Sequence, residues 1–171
     1  MRVCFIGHRT IEKTKEFISS LEETIIGLIK RGCTIFLFGS KSEFNDLSWE
    51  IVTKLKESYP FIKRIYVRSA YQHINKSYEE YLLKSYEETY FPTKLERAGK
   101  YSYVERNFEM IDNCSCCVFY YNEKYVPLIK PKTKSNKLVT VKRISGTKVA
   151  YEYAKKRKRE IINLYNEKET K

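Results

Sequence analysis

The chain reads as an α/β protein: a single Rossmann-like, three-layer domain with a mostly parallel sheet of about five strands. Three observations predict this. Short, almost wholly apolar runs recur along the sequence, they alternate with amphipathic stretches of helical length, and small residues stand where the runs end. Continuous apolar strands belong to parallel sheets covered on both faces. Strand–helix–strand spacing of this kind gives right-handed crossovers. At 171 residues the whole chain, 1–171, fits one domain with a substantial core.

The first run, 3–6, is closed by Gly7 and reads as a buried strand. Over 10–31, Ile11, Phe17, Ile18, Leu21, Ile25, Ile26, Leu28 and Ile29 recur at helical spacing, and Gly32 stands where a C-terminal cap belongs. A second strand, 33–38, ends at Gly39-Ser40. The next helix, 44–58, places Leu47, Ile51, Val52 and Leu55 on one face, and Pro60 ends it. A third strand follows at 61–67. Residues 68–100 carry a weaker, tyrosine-rich signal with a charged helix over 78–88. A helix over 101–112 leads into the apolar strand 116–121. Residues 123–143 form a basic, proline-containing excursion read as a loop or hairpin. A helix opening at Ser145-Gly146-Thr147 and a last strand at 160–164 complete the chain.

Hydrophobic residues make up 42% of the chain and charged residues 32%, as in ordinary globular proteins. No apolar run approaches the length of a membrane span. Met1 to Gly7 has too short an apolar stretch before His8-Arg9 for a signal peptide, so a cytoplasmic protein with no membrane partner is expected. Five cysteines, four of them in apolar runs, read as reduced and buried. Cys114 and Cys116 lack C-x-x-C spacing and no second pair is apparent, so no metal site is expected, and no cofactor either. The net charge of +12 attracts anions of many kinds, but it is also what a lysine-rich codon bias gives.

Open parallel sheets bind ligands beyond the carboxyl ends of their strands. Three junctions there combine small residues with polar groups: Gly7-His8-Arg9, Gly39-Ser40 and Ser145-Gly146-Thr147. Each offers close backbone approach, amide donors and hydroxyl or basic side chains, the parts of a phosphate cradle. Capping and turn formation alone would use the same residues. His8 and Arg9 add donors suited to phosphate or ribose oxygens. His73 lies in a polar loop and reads as a surface residue. Arg106 and Asn107, one turn after Tyr103 on the helix before the apolar strand, can reach the same crevice.

These motifs, in this order, resemble the SLOG superfamily, the Rossmann-like group that includes the LOG phosphoribohydrolases and the DNA-processing protein A family. The residues that carry the likeness are Gly7-His8-Arg9, Gly39-Ser40 with Phe44 and Leu47, Tyr103 with Arg106-Asn107 and Met110-Ile111-Asp112, and Ser145-Gly146-Thr147 with Ala150 and Ala154. The likeness covers nearly the whole chain and is closest to the YpsA-like branch. It implies a nucleotide-derived ligand, a nucleotide or ADP-ribose-like signal, as in prophage and defence settings, and a homodimer. Gly7, His8, Arg9, Gly39 and Ser40 would line the crevice, Arg106 and Asn107 would contact base or ribose, and Ser145, Gly146 and Thr147 would grip phosphate. LOG enzymes resemble G-G-x-G-T-x-x-E, but here Ala150 takes the glutamate position. Glu152 lies two residues on, roughly 200° around the helix.

Three functions are therefore set against one another. The first is binding of a nucleotide-type small molecule as a sensor or sequestering protein. The second is cleavage or transfer at an N-glycosidic bond, with Asp46, Glu105, Asp112 and Glu152 as candidate carboxylates. The third is weak single-stranded DNA binding. Its contacts would be Lys130, Lys132, Lys134, Lys137, Lys142 and Arg143 in the excursion, and the basic run 155–159.

Overall fold

The computed structural model describes residues 1–96, 99–126 and 144–166. The expected α/β layering is present, with six strands. They are β1 (Arg2–Gly7), β2 (Ile35–Phe38), β3 (Lys63–Val67), β4 (Glu88–Tyr90), β5 (Cys116–Tyr120) and β6 (Glu160–Asn163). Between them run α1 (Lys15–Lys30), α2 (Glu43–Leu55), α3 (Lys76–Leu83), α4 (Lys100–Asp112) and α5 (Gly146–Lys156). The sheet order is β4-β3-β2-β1-β5-β6, and every neighbouring pair is parallel. The chain moves outward from β1 to β4, then crosses back to β5, so the switch point lies between β1 and β5.

Alternation along the central strands divides the core into two layers. Val3 and Phe5 of β1, Phe36 and Phe38 of β2, and Val118 of β5 face α1 and α2, meeting Phe17, Leu21, Phe44 and Val52. Cys4, Ile6, Leu37, Cys117 and Phe119 face the other way, against Met110 and Ile111 of α4 and Ala150 and Ala154 of α5. Small residues on α5 let that helix approach closely, and α4 and α5 pack side by side on this face.

Helix ends follow the local chemistry. Thr14, Ser42, Asn75 and Ser145 each accept a hydrogen bond from the backbone N–H three residues on, capping α1, α2, α3 and α5. At the end of α1, Gly32 takes φ +89°, and its N–H and that of Cys33 return to the carbonyls of Ile29 and Leu28. That double return is the Schellman arrangement, which favours glycine.

One strand and the ends of two helices differ from the sequence reading. The helical pattern over 78–88 stops at Leu83, and Glu88–Tyr90 pairs with β3 as the sixth strand. This three-residue edge strand has no apolar run, because an edge exposes its side chains and is marked by charge. It is tied down by Glu87, whose carboxylate accepts from the guanidinium and the backbone N–H of Arg64 at 2.6–3.2 Å. The first helix likewise starts at Lys15, and residues 10–14 form a loop. Most of the basic excursion, 127–143, lies outside the described residues.

Gly7 closes β1 for a packing reason. A Cβ there would stand 2.5 Å from Cδ1 and 2.6 Å from Cβ of Phe44, which is fully buried among Phe5, Phe17 and Tyr120. Gly7→Ala is expected to lower stability by about 1–3 kcal/mol, the usual cost of overpacking. Urea denaturation should show an earlier midpoint with an unchanged far-ultraviolet spectrum.

Candidate functional site

The carboxyl ends of β1, β2 and β5 meet the starts of α1, α2 and α5 on one edge of the sheet. Helix starts present free N–H groups and a positive dipole end, so this edge favours anions. The first two junctions are fastened together. Glu43 N–H donates to the Arg9 carbonyl, and Glu43 Oε2 accepts from Ile11 N–H at 3.0 Å. Asn45 bridges the strands, its Oδ1 accepting from Gly39 N–H and its Nδ2 donating to the Phe5 carbonyl. Ser40 and Ser42 hydroxyls meet at 3.2 Å.

His8 is only 1% exposed. Its Nε2 lies 2.9 Å from the N–H and 3.1 Å from the carbonyl of Asn122, just past β5. The shorter contact makes Nε2 the acceptor and leaves the proton on Nδ1, which is buried without a partner. Tyr125 stacks on the ring at 3.9 Å between centroids. Burial holds the imidazole pKa down to about 4, against the opposing pull of the Asn122 backbone, so the ring is neutral at pH 7. Arg9 points to solvent as an exposed side chain.

Arg106 is the group with the greatest electrostatic consequence. Although α4 reads as a polar helix, Arg106 is 2% and Asn107 8% exposed. The guanidinium reaches across the sheet edge, donating to the Gly39 carbonyl and to Asn107 Oδ1 at 3.1 Å, with Ser69 Oγ at 3.5 Å. Tyr103 lies beneath it, 5.6 Å from ring centroid to Cζ. Its Nε is buried and has no partner. Burial pulls its pKa down to about 10, partly offset by the Tyr66 and Tyr103 hydroxyls. No carboxylate acts on it among the described residues. Gly39 makes the arrangement possible: a Cβ there would lie 2.9 Å from Cδ and Nε of Arg106 and 2.8 Å from the Val67 carbonyl.

The predicted residues therefore divide into groups. Gly39, Arg106 and Asn107 come together, and Ser40 flanks them through the α2 start. Gly7 and His8 are joined to β5 and α2 by packing and by Asn122. Ser145, Gly146 and Thr147 form the first turn of α5 on the same edge, with Ser145 Oγ accepting from Lys148 N–H. No hydrogen bond links that turn to the other junctions among the described residues. Among the described residues nothing stands where a Gly146 Cβ would go, so their packing does not require a glycine there. A separate cavity of about 260 Å³ opens beside α1 and the segment after β6, lined by Phe17, Ser20 and residues 163–166, and shares no residue with this crevice.

The candidate carboxylates are dispersed. Asp112 accepts from Tyr153 Oη and Arg157 Nε at the opposite edge, Glu152 pairs with Lys155, and Glu105 accepts from Glu96 N–H. Asp46 is exposed on α2, its pKa raised by partial burial and by Glu50. The basic run 155–159 ends α5 and so lies at the edge opposite the crevice. The cysteine reading needs correction. Cys114 and Cys117 do have C-x-x-C spacing, and with Cys4 they form a cluster of three buried thiols whose sulfurs all lie within 4.8 Å of one another.

No protein-family model matches the chain, and no curated protein matches it. A solved structure does. The chain shares its fold with DNA processing protein A from Helicobacter pylori. The likeness has a TM-score of 0.55 at 14% identity, spans 94% of this chain and covers 63% of the other, just under two thirds of its length. At that identity the likeness is one of architecture. The structure of DNA processing protein A was described for a distinctive single-stranded DNA binding mode. No described helix is long and apolar enough to cross a membrane.

His8 gives a pH signature. Its folded pKa lies below the unfolded value of about 6.5, so the unfolded chain takes up the proton more readily. The stability this contributes is fully present above pH 6.5 and is lost as the pH falls towards 4, by about 3 kcal/mol in all. Wild type minus His8→Gln stability, measured by denaturant titration across pH 4–7.5, should slope upward with pH in that window and flatten above it.

Proposed function

We propose that the chain binds a nucleotide-derived, phosphate-bearing small molecule at the carboxyl edge of the sheet, with Arg106 as its principal counter-charge. The observation that carries this reading is a buried guanidinium that, among the described residues, is paired only with neutral acceptors. A buried charge without a partner is costly, and a fold that keeps one needs a reason for it. A phosphate oxygen would supply both the missing charge and an acceptor for Nε–H. The first turn of α5 would add backbone donors, and α2 its dipole end, since the Glu43 and Asn45 N–H groups are already taken by Arg9 and Ser42. Asn107 and Tyr103 would offer amide recognition and a ring face to a base. The YpsA-like resemblance of the motifs points to the same ligand class, with nucleotides and ADP-ribose-like signals foremost. Binding is favoured over glycosidic cleavage because Ala150 stands at the glutamate position and none of the four candidate carboxylates acts on Arg106.

A second reading, single-stranded DNA binding, draws on the likeness to DNA processing protein A. Tyr71, Tyr81, Tyr101 and Tyr103 are each more than half exposed and would serve as stacking platforms, and the net charge of +12 would attract the backbone. The two readings differ in ligand length and salt dependence, since counterion release scales with the number of phosphates neutralised.

Calorimetry with mononucleotides, ADP-ribose, cyclic nucleotides and a length series of single-stranded oligonucleotides separates them. Arg106→Met should weaken mononucleotide or ADP-ribose binding roughly 10- to 100-fold, the value of a charge-assisted hydrogen bond. The thermal midpoint of the free protein should fall only modestly, because removing a buried charge offsets part of the cost of leaving the Gly39 carbonyl and Asn107 Oδ1 without a donor. Affinity that grows with oligonucleotide length and falls steeply with salt would favour the second reading instead. A folded protein that binds none of these ligands would overturn both.

A further inference from the structure

Five cysteines are buried, and strand alternation sorts them onto the two faces of the sheet. Cys33 and Cys116 face α1 and α2, where each packs as a small apolar group. Cys4, Cys114 and Cys117 converge on the other face. Cys4 and Cys117 are register partners across the β1–β5 ladder. Cys114 stands one turn earlier, in the link between α4 and β5. Its sulfur lies 3.4 Å from that of Cys4 and 3.3 Å from that of Cys117, and 3.5 Å from the Ile111 carbonyl.

We propose that Cys4, Cys114 and Cys117 form a binding site for a soft, thiolate-seeking d10 cation, copper(I) or zinc(II), at the amino edge of the sheet. This site is separate from the strand-end crevice and does not depend on the function assigned there. Ligand chemistry supports it first. Thiolates select copper(I) and zinc(II) over the hard cations, and a C-x-x-C pair completed by a distant cysteine supplies three of them. Geometry agrees. Metal–sulfur bonds of about 2.3 Å put sulfurs about 3.7–4.0 Å apart in tetrahedral or trigonal coordination. The observed 3.3 and 3.4 Å need to open by only about half an ångström, within reach of small χ1 rotations.

Charge also fits. Three thiolates around a divalent ion leave one net negative charge, and around a monovalent ion two. Arg159 stands at the same edge, its Nη2 donating to the Asp112 carbonyl two residues before Cys114 at 2.6 Å, while its buried Nε has no partner. The guanidinium is therefore placed to offset charge at the cluster. Entry is from the α4–β5 link, where Cys114 alone of the three keeps some exposure, 3% against none for Cys4 and Cys117.

The test uses the full chain, purified reduced and metal-free under anaerobic conditions. Copper(I) and zinc(II) are offered separately against chromophoric chelators of graded affinity. Binding of one equivalent of either ion, with a first shell of three sulfurs by X-ray absorption, is the expected result, and the two arms identify which ion the site prefers. Cys114→Ser and Cys117→Ser should each lower the affinity at least 100-fold, whereas Cys33→Ser and Cys116→Ser should keep it. Because a serine in the core can disturb folding, each variant is paired with its alanine counterpart, and only those with native circular dichroism are compared. Failure of wild type to hold either ion, or unchanged binding by well-folded Cys114→Ala and Cys117→Ala, would overturn the proposal.

Discussion

The guanidinium of Arg106 occupies the space that a side chain on Gly39 would need, and much of the strand-end edge is arranged around that contact. Gly39 must lack a Cβ for Arg106 to reach its carbonyl. Helix α4 must cross the sheet where it does for Arg106 to arrive from its middle, held there by Met110 and Ile111 in the core. Asn45 takes up the Gly39 N–H, so both backbone polar groups of Gly39 are satisfied. Among the described residues this positive charge has hydrogen bonds but no carboxylate partner, so the edge is electrostatically incomplete.

The parts of the fold that were legible in the sequence are those buried on both faces. The cores of β1, β2 and β5 are continuous apolar runs because nearly every side chain there meets a helix layer, so their pattern leaves few alternatives. β4 was invisible for the opposite reason: Glu88, Thr89 and Tyr90 lie at an edge, and their strand state comes from pairing with β3 and from the Arg64–Glu87 fork. At the site, the junction glycines were visible but their purposes were not. Gly7 serves Phe44 and Gly39 serves Arg106, and no local pattern distinguishes a glycine that admits a ligand from one that admits a neighbouring side chain. Burial of Arg106 and Asn107 was hidden too, since a polar helix face looks solvated until its position over the sheet is known. The thiol cluster depends on the β1–β5 register, although the spacing of Cys114 and Cys117 was a readable signal.

Net charge proved a poor guide to where anion-binding capacity resides. Several of the cations that build the +12 are already engaged: Arg31 forks onto Glu160 at 2.7 Å, Arg64 onto Glu87, and Arg157 onto Asp112. These pairs fasten edge strands and helix ends, and the more exposed of them contribute little to stability. The basic run at the end of α5 points to the edge opposite the crevice. One buried arginine with no carboxylate partner among the described residues therefore says more about a ligand than the excess spread over the surface.

The choice of arginine at this position follows from the same desolvation that neutralises His8. Burial takes the histidine to about 4 and the arginine to about 10, depressions of similar size from very different starting points. At pH 7 the first is uncharged and the second remains a cation. A lysine starts lower, at about 10.4, so the same burial would bring it closer to physiological pH. The guanidinium keeps its charge under burial at this edge, and its planar fork can hold the Gly39 carbonyl with one nitrogen while keeping another for an incoming oxygen. The neutral His8 then serves as a rigid strut between β1 and β5, and the electrostatic work of the crevice falls to Arg106.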